Sequence, residues 1–148
     1  MFPELETAVD TVEIPLEREA IVSAIGLRDR WDAKISTAIG EYQALGLHEV
    51  DGSVTVGSWL RHWAKLDSVA ATRCARRAAK LHQLPVLREA FCAGILSGGA
   101  VDIVLHLVIN RHLGLFAEHE AELVPRLAAL DIDGVTTAMR EWGPRPTR

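Results

Sequence analysis

Four positively charged side chains are predicted to share one face of a helix in the middle of the chain. The helix is expected from about Ser68 to Gln83, and it carries small apolar residues on its opposite face. With about 3.6 residues per turn, the four cations fall within roughly one quadrant; they are Arg73, Arg76, Arg77 and Lys80. The helix contains no acidic residue to pair with them one turn away. Such a row of like charges is typical of a surface that neutralises a phosphate backbone and releases its counterions.

Three further cations extend this predicted surface. Arg61 and Lys65 lie one turn apart on the preceding helix, and Arg88 lies on the following one. Residues 59–90 carry seven bases and two acids, whereas residues 1–52 carry 11 acids and four bases. A basic segment in a chain of net charge −4 indicates a polyanionic partner. Two alternatives stay open: the basic face is simply solvated, or the acidic N-terminal helix lies along it.

No arrangement of titratable residues indicates catalysis. His106, Asn110 and His112 follow one another in the order of an HNH nuclease site, but one apolar helix cannot supply ligands that come from separate elements. We interpret His106 and Asn110, together with Asp102, as a polar stripe on that helix. A second group of titratable residues, interpreted as the acidic first turn of a helix, comprises Glu118, Glu120 and Glu122. The sequence therefore predicts a protein that is not an enzyme.

The cysteine pattern and the apolar runs exclude several classes of site. Cys74 and Cys92 form no CxxC pair and lie in helical apolar patterns, so we interpret both as core thiols in a reducing, cytoplasmic compartment. No metal and no cofactor is predicted. The acidic N-terminus does not resemble a signal peptide. The longest apolar run, residues 101–109, is too short and too polar to span a membrane.

Helical periodicity runs through the whole chain, and no alternation of period two is long enough for a sheet. The predicted fold is all-α, an irregular bundle of about six or seven helices. We expect a flexible acidic arm over 1–14, a single helical domain over 15–142 and a disordered tail over 143–148. The first helix is expected over about 15–45, either as one long helix or as two stacked across Gly26. Further helices are expected over about 56–66, 68–83, 85–93, 98–112, 117–130 with a kink at Pro125, and from Asp131 or Asp133 to Trp142. Asp67 and Ser68 can cap the helix over 68–83, and Asp131 or Asp133 can cap the last one. An Asp-Gly turn is expected in the loop 48–53.

Residues 84–112 have the order of a helix-turn-helix unit. Pro85 suits the first turn of one helix, Gly94 suits its end, and Ser97 suits the cap of the next. A second helix that reads DNA normally offers Arg, Lys, Asn or Gln near its start. This one offers none of them, and its Asp102 would repel phosphates. We therefore interpret the unit as a packing element.

Short motifs occur along the chain in a recognisable order: Asp51-Gly52-Ser53, Trp59-Leu60, an Ala- and Arg-rich helix, Leu84-Pro85, AFCAGILS over Ala90–Ser97 and E-x-x-L over Glu120–Leu123. The set resembles the 13E12 repeat family, also called domain of unknown function 222, over about residues 20–142. The resemblance implies a helical domain that usually precedes an HNH endonuclease domain in repetitive, mobile actinobacterial genes. That helical domain has no established activity, so the resemblance implies no catalytic residue. The chain departs from the family pattern at Ile95, often Arg, and at Gly98-Gly99-Ala100, usually Ala-Ala-His.

Together these observations predict a non-catalytic helical module that associates with DNA at low sequence specificity through its basic face. The expected partners are DNA, a second copy or a separate HNH nuclease, with no membrane contact. The alternative is a helical interaction or self-association module, a truncated remnant of the family that binds no nucleic acid.

Overall fold

The computed structural model describes residues 1–143, and within them the chain is all-α with no strand. The predicted fold class is therefore confirmed. The helices are α1 Pro3–Thr11, α2 Arg18–Ala44, α3 Leu47–Val50, α4 Val56–Trp63, α5 Ser68–His82, α6 Pro85–Cys92, α7 Gly98–Leu107, α8 Leu113–Ala128 and α9 Ile132–Trp142, with a 3₁₀ turn at Asn110–His112. The predicted disordered tail falls almost entirely on residues 144–148, which lie outside the described residues.

The N-terminal segment is helical, which corrects the expected arm over 1–14. Pro3 occupies the first turn of α1, and none of the residues of α1 is buried. The ring of Phe2, just before α1, meets that of Trp31 on α2 edge to face, with centroids 5.7 Å apart. α2 begins at Arg18 rather than Pro15 and continues through Gly26 as one helix. Only its second half is buried in the bundle.

Three predicted N-terminal caps form, at the starts of α5, α7 and α9. Asp67 accepts a hydrogen bond from Ala70 N at 2.8 Å, and Ser97 accepts one from Ala100 N at 3.1 Å. Asp131 accepts one from Gly134 N at 2.8 Å. Each carboxylate or hydroxyl satisfies an N–H that the first helical turn leaves unpaired.

The main core is formed by α5 to α9 around α7. Val101 and Val104 of α7 are fully buried, as are Phe91 and Phe116 on the neighbouring helices. A smaller cluster of Val56, Leu60 and Ala71 lies between α4 and α5. α2 approaches α5 closely at Gly40, where a Cβ would lie 3.0 Å from the carbonyl oxygen of Ala78.

Two helix boundaries differ from the prediction in the second half. α7 ends at Leu107 because Val108 turns to an extended conformation, with φ −89° and ψ 94°. Asn110 therefore belongs to the 3₁₀ turn and not to a polar stripe on α7. α8 begins at Leu113, four residues before the predicted start at Ala117.

The Asp-Gly turn, one of the motifs quoted for the family resemblance, contacts a second one at Trp59. The short helix α3 extends over residues 48–50 of the predicted loop, which corrects that part of the prediction. Gly52 after it has φ +93°, a left-handed conformation that favours glycine. Asp51 accepts a hydrogen bond from the indole Nε1 of Trp59 at 2.9 Å and another from the hydroxyl of Tyr42. These hydrogen bonds, the one from Tyr42 first, lower the pKa of Asp51, and the same contact raises the pKa of Tyr42.

This carboxylate makes the stability of the fold pH-dependent in acid. A carboxyl with a lowered pKa stabilises the fold above its unfolded pKa of about 3.9 and loses that contribution as the pH falls further. We expect Asp51→Asn to be less stable than wild type at neutral pH, and the difference to shrink below about pH 4. Urea denaturation of both proteins across this range measures it. A difference that is the same at every pH would contradict the assignment.

Candidate functional site

The candidate site is an open groove of about 650 Å³ between α5 and α7. The N-terminal cap at Asp67 fixes the start of α5. The apolar face of α5 packs on the core through Ala71, Ala78 and Leu81. The opposite face, on which the four cations were predicted, lies next to α7. The groove is lined by Ser68, Val69, Thr72, Arg73, Arg76, Arg77, Asp102, Leu105 and His106.

Arg73 and Arg76 are exposed on this groove as predicted. No carboxylate among residues 1–143 lies within 4.0 Å of either guanidinium. Arg61 on α4 and Lys65 in the connection to α5 are also exposed and have no such partner in the described part of the chain. These four residues are called the free cations below.

Arg77 is not free, which corrects the prediction for this position. Its Nε lies 3.0 Å from Oδ1 of Asp102, and its Nη2 lies 2.6 Å from Oδ1 and 2.7 Å from Oδ2. The guanidinium also stands over the ring of Phe91, 5.5 Å from its centroid. The side chain of Arg77 is 19% exposed, so the pair is partly shielded from water. A paired, stacked guanidinium of this kind ties α5 to α7.

Lys80 is buried, which is a second correction. It is 7% exposed, and its Nζ donates to the carbonyl oxygens of Leu105 at 2.5 Å and Val108 at 2.9 Å. Burial, and then the charge of Arg76, lower the pKa of its ammonium group. The positive charge lies at the C-terminus of α7, where the helix dipole favours a cation and the last carbonyls lack partners.

Arg88 is the third cation with a structural role. Its Nη1 donates to the carbonyl oxygens of Leu81 at 3.1 Å and His82 at 3.2 Å, at the end of α5. It is half-buried. Of the seven predicted site residues, three thus stabilise helix ends or pair with a carboxylate, and the four free cations are left for a ligand.

Two acids, one buried and one half-buried, cap the N-termini of helices far away in sequence, a role that the sequence analysis missed. Glu120, 2% exposed, accepts hydrogen bonds from Val86 N and Leu87 N, both at 3.1 Å, at the start of α6. Asp29 of α2 accepts one from Gly98 N at 2.9 Å, at the start of α7. The interpretation of Glu120 as a first-turn residue was wrong, because α8 begins seven residues earlier. One signal was present in the sequence: Leu84, the residue before α6, cannot cap that helix, so its first N–H groups need an acceptor from elsewhere in the chain.

The contact between Asp29 and Gly98 predicts a steric effect. A Cβ on Gly98 would lie 2.8 Å from Oδ1 of Asp29, so the carboxylate must shift and its hydrogen bond to Gly98 N is weakened. We therefore expect Gly98→Ala to destabilise the fold by about 1–3 kcal/mol. Gly99→Ala is the matched control, because its Cβ would make an ordinary contact 3.4 Å from Ile132. We expect that control to be neutral or stabilising by up to about 1 kcal/mol. Thermal and urea denaturation compare the two, and equal effects would contradict the close approach.

The other chemically capable residues do not converge. Across the described residues, no group of three or more His, Cys, Asp or Glu side chains is placed to hold a metal ion. Cys74 and Cys92 are free and half-buried, and burial raises the pKa of the Cys74 thiol. Within residues 1–143 no single helix has the length and apolarity needed to cross a membrane, although α7 together with 110–128, bent by 94°, meets those criteria as a pair.

Comparison with protein-family models, with curated proteins and with solved structures yields no match to this chain. The resemblance to the 13E12 repeat family therefore stays a prediction. Two of its motifs do contact each other in the structure, since Asp51 accepts a hydrogen bond from Trp59.

Proposed function

We propose that this chain is a non-catalytic helical module that binds nucleic acid through the groove between α5 and α7. One observation carries the proposal: Arg73 and Arg76 stand on adjacent positions of the groove, exposed and without a carboxylate partner among the described residues. Uncompensated guanidinium groups attract phosphates and displace the counterions that surround a nucleic acid. The exposed hydroxyls of Ser68 and Thr72 on the same groove add hydrogen-bond donors for phosphate oxygens.

The proposed binding is insensitive to base sequence. Phosphate contacts fix the position of a protein on a duplex but do not read its bases. α7, the second helix of the helix-turn-helix-like unit, has five of its ten residues buried, and its first turn is held by Asp29. A recognition helix needs that turn free to enter the major groove. The unit is thus a packing element in this proposal.

Fluorescence anisotropy with a labelled DNA duplex of mixed sequence tests the proposal. We expect wild type to bind at low salt, and Arg73→Gln/Arg76→Gln to bind at least about tenfold more weakly, since two phosphate contacts are lost. Arg126→Gln/Arg140→Gln, two exposed arginines on α8 and α9, is the control with the same change in net charge. If both double variants bind as wild type does, the groove is not the site.

The same proposal includes the setting in which the module works. Free Cys74 and Cys92 fit a reducing cytoplasm. A separately encoded HNH nuclease is the partner that the family resemblance implies, and the module would hold DNA for it. Sequencing of the neighbouring reading frames for an HNH motif tests that part.

A second candidate function is supported by the exposed apolar residues of the N-terminal helices. Large apolar side chains on α1, directly after it and on the first half of α2 are more than a third exposed, and extended apolar surface of this kind marks interaction sites. They include Leu5, Val9, Val12, Ile21, Val22, Ile25, Leu27 and Trp31. This surface favours an interaction module, which light scattering over a range of protein concentrations tests.

A further inference from the structure

α1 has the features of a helical ligand rather than of a core element. None of its residues is buried, and Leu5 and Val9 on the helix and Val12 directly after it recur at intervals of four and three, on one side. Residues 1–17 contain five acids and neither Lys nor Arg. An amphipathic helix is a recurrent occupant of apolar grooves, and opposite charges at the edge of such a contact favour one partner over others.

The groove between α5 and α7 complements α1 in both respects. Val69, which is 68% exposed, supplies apolar surface along it, whereas Arg73 and Arg76 supply positive charge. Leu105 lies beneath and belongs to the core. Glu6 and Asp10 are one turn apart on α1, as Arg73 and Arg76 are on α5, so two ion pairs can form in register. Glu6 has a neighbour of opposite charge only in the terminal amine, 3.9 Å away, within the part of the chain described.

The chain's own α1 does not occupy this groove. Phe2 rests against Trp31 of α2, and no ion pair among residues 1–143 joins the acids of residues 1–19 to the cations of α5. We infer that α1 of a second copy lies in the groove, with its apolar side toward Val69 and its acids Glu6 and Asp10 toward Arg73 and Arg76. Two copies can exchange α1 reciprocally, which closes the contact about a two-fold axis.

This inference rests on the proposed function in one respect, since it gives the same groove a second, acidic occupant. Nucleic acid and self-association are then mutually exclusive. A protein concentration high enough for dimerisation lowers the affinity for nucleic acid, so the acidic helix regulates the groove.

A charge exchange tests the inference in the full chain. One variant, Glu6→Lys/Asp10→Lys, reverses the charge of α1, and the other, Arg73→Glu/Arg76→Glu, reverses the charge of the groove. All four side chains are exposed, so both variants should fold, which circular dichroism checks. By sedimentation equilibrium at low salt, wild type should dimerise and each variant alone should associate at least about tenfold more weakly. An equimolar mixture of the two variants should dimerise again, because both contacts regain opposite charges.

Three results would overturn the inference: wild type stays monomeric, either variant alone dimerises as wild type does, or the mixture stays monomeric. Dimerisation of the α1 variant alone would indicate that apolar faces of α1 and α2 pair directly.

The DNA arm separates this inference from the proposed function. Glu6→Gln/Asp10→Asn leaves the groove unchanged and should bind a DNA duplex at least as tightly as wild type. If that variant binds no DNA, the proposed function fails, whatever the sedimentation shows. If it binds DNA while wild type never dimerises, only the inference fails.

Discussion

Lys80→Met is expected to lower the free energy of unfolding by about 2–4 kcal/mol. Methionine keeps most of the apolar length of the side chain but removes the ammonium group. The carbonyl oxygens of Leu105 and Val108 then lose their donor at the buried end of α7. The loss includes two charge-assisted hydrogen bonds and a favourable interaction with the helix dipole. Urea denaturation followed by circular dichroism gives the difference.

Arg76→Met is the matched control for Lys80→Met. It removes one positive charge from the same helix one turn away, but its side chain is exposed and pairs with no carboxylate in the described residues. We expect its effect on stability to stay within about 0.5 kcal/mol. Equal effects of the two substitutions would show that Lys80 does not hold the end of α7.

Glu120→Gln is expected to destabilise the protein by about 2–3 kcal/mol. Glu120 is an acid on α8 that accepts hydrogen bonds from two backbone N–H groups of α6, one with each carboxylate oxygen. Glutamine replaces one of those oxygens by an NH₂ group, which cannot accept and which faces another donor. The negative charge that favours the N-terminus of α6 is lost as well.

The control for this second substitution is Glu122→Gln on the exposed side of the same helix. It changes the net charge identically, and we expect a change in stability within about 0.5 kcal/mol. Denaturation in urea compares the pair at neutral pH. A large effect of Glu122→Gln, or none of Glu120→Gln, would contradict the capping role.

Local patterns of the sequence were enough to predict what local physics determines. The caps at Asp67, Ser97 and Asp131 were found because each acts within three residues of its own position. The buried face of α5 was found because helical periodicity fixes which residues share a side. The same periodicity says nothing about which helix lies against the other side.

That limit explains the errors at the site. α7 approaches the polar side of α5, so Arg77 meets Asp102 and Lys80 meets the end of α7, each 25 or more positions apart in sequence. Asp29 and Glu120 cap helices that begin 69 and more than 30 residues away. A charge on a helix face has the same appearance in a sequence whether it meets water, a ligand or the end of another helix. Only the packing of the helices distinguishes these cases.

The helical N-terminus shows a related limit. α1 is only nine residues long and acidic, so its few apolar residues were too short a pattern to identify it as a helix. The role of its apolar residues can be inferred only from the structure, which shows that α2 does not cover them and that the groove between α5 and α7 is open.

The salt dependence of DNA binding is the most direct test of the division between free and structural cations. If the four free cations contact phosphates, the logarithm of the affinity for a duplex should fall with the logarithm of the salt concentration with a slope of roughly −3 to −4. Arg73→Gln/Arg76→Gln should reduce the magnitude of that slope by about 2, whereas Lys80→Met should leave it unchanged at a temperature where the variant is folded. A wild-type slope in the arginine variant, or an equal reduction in Lys80→Met, would contradict the division.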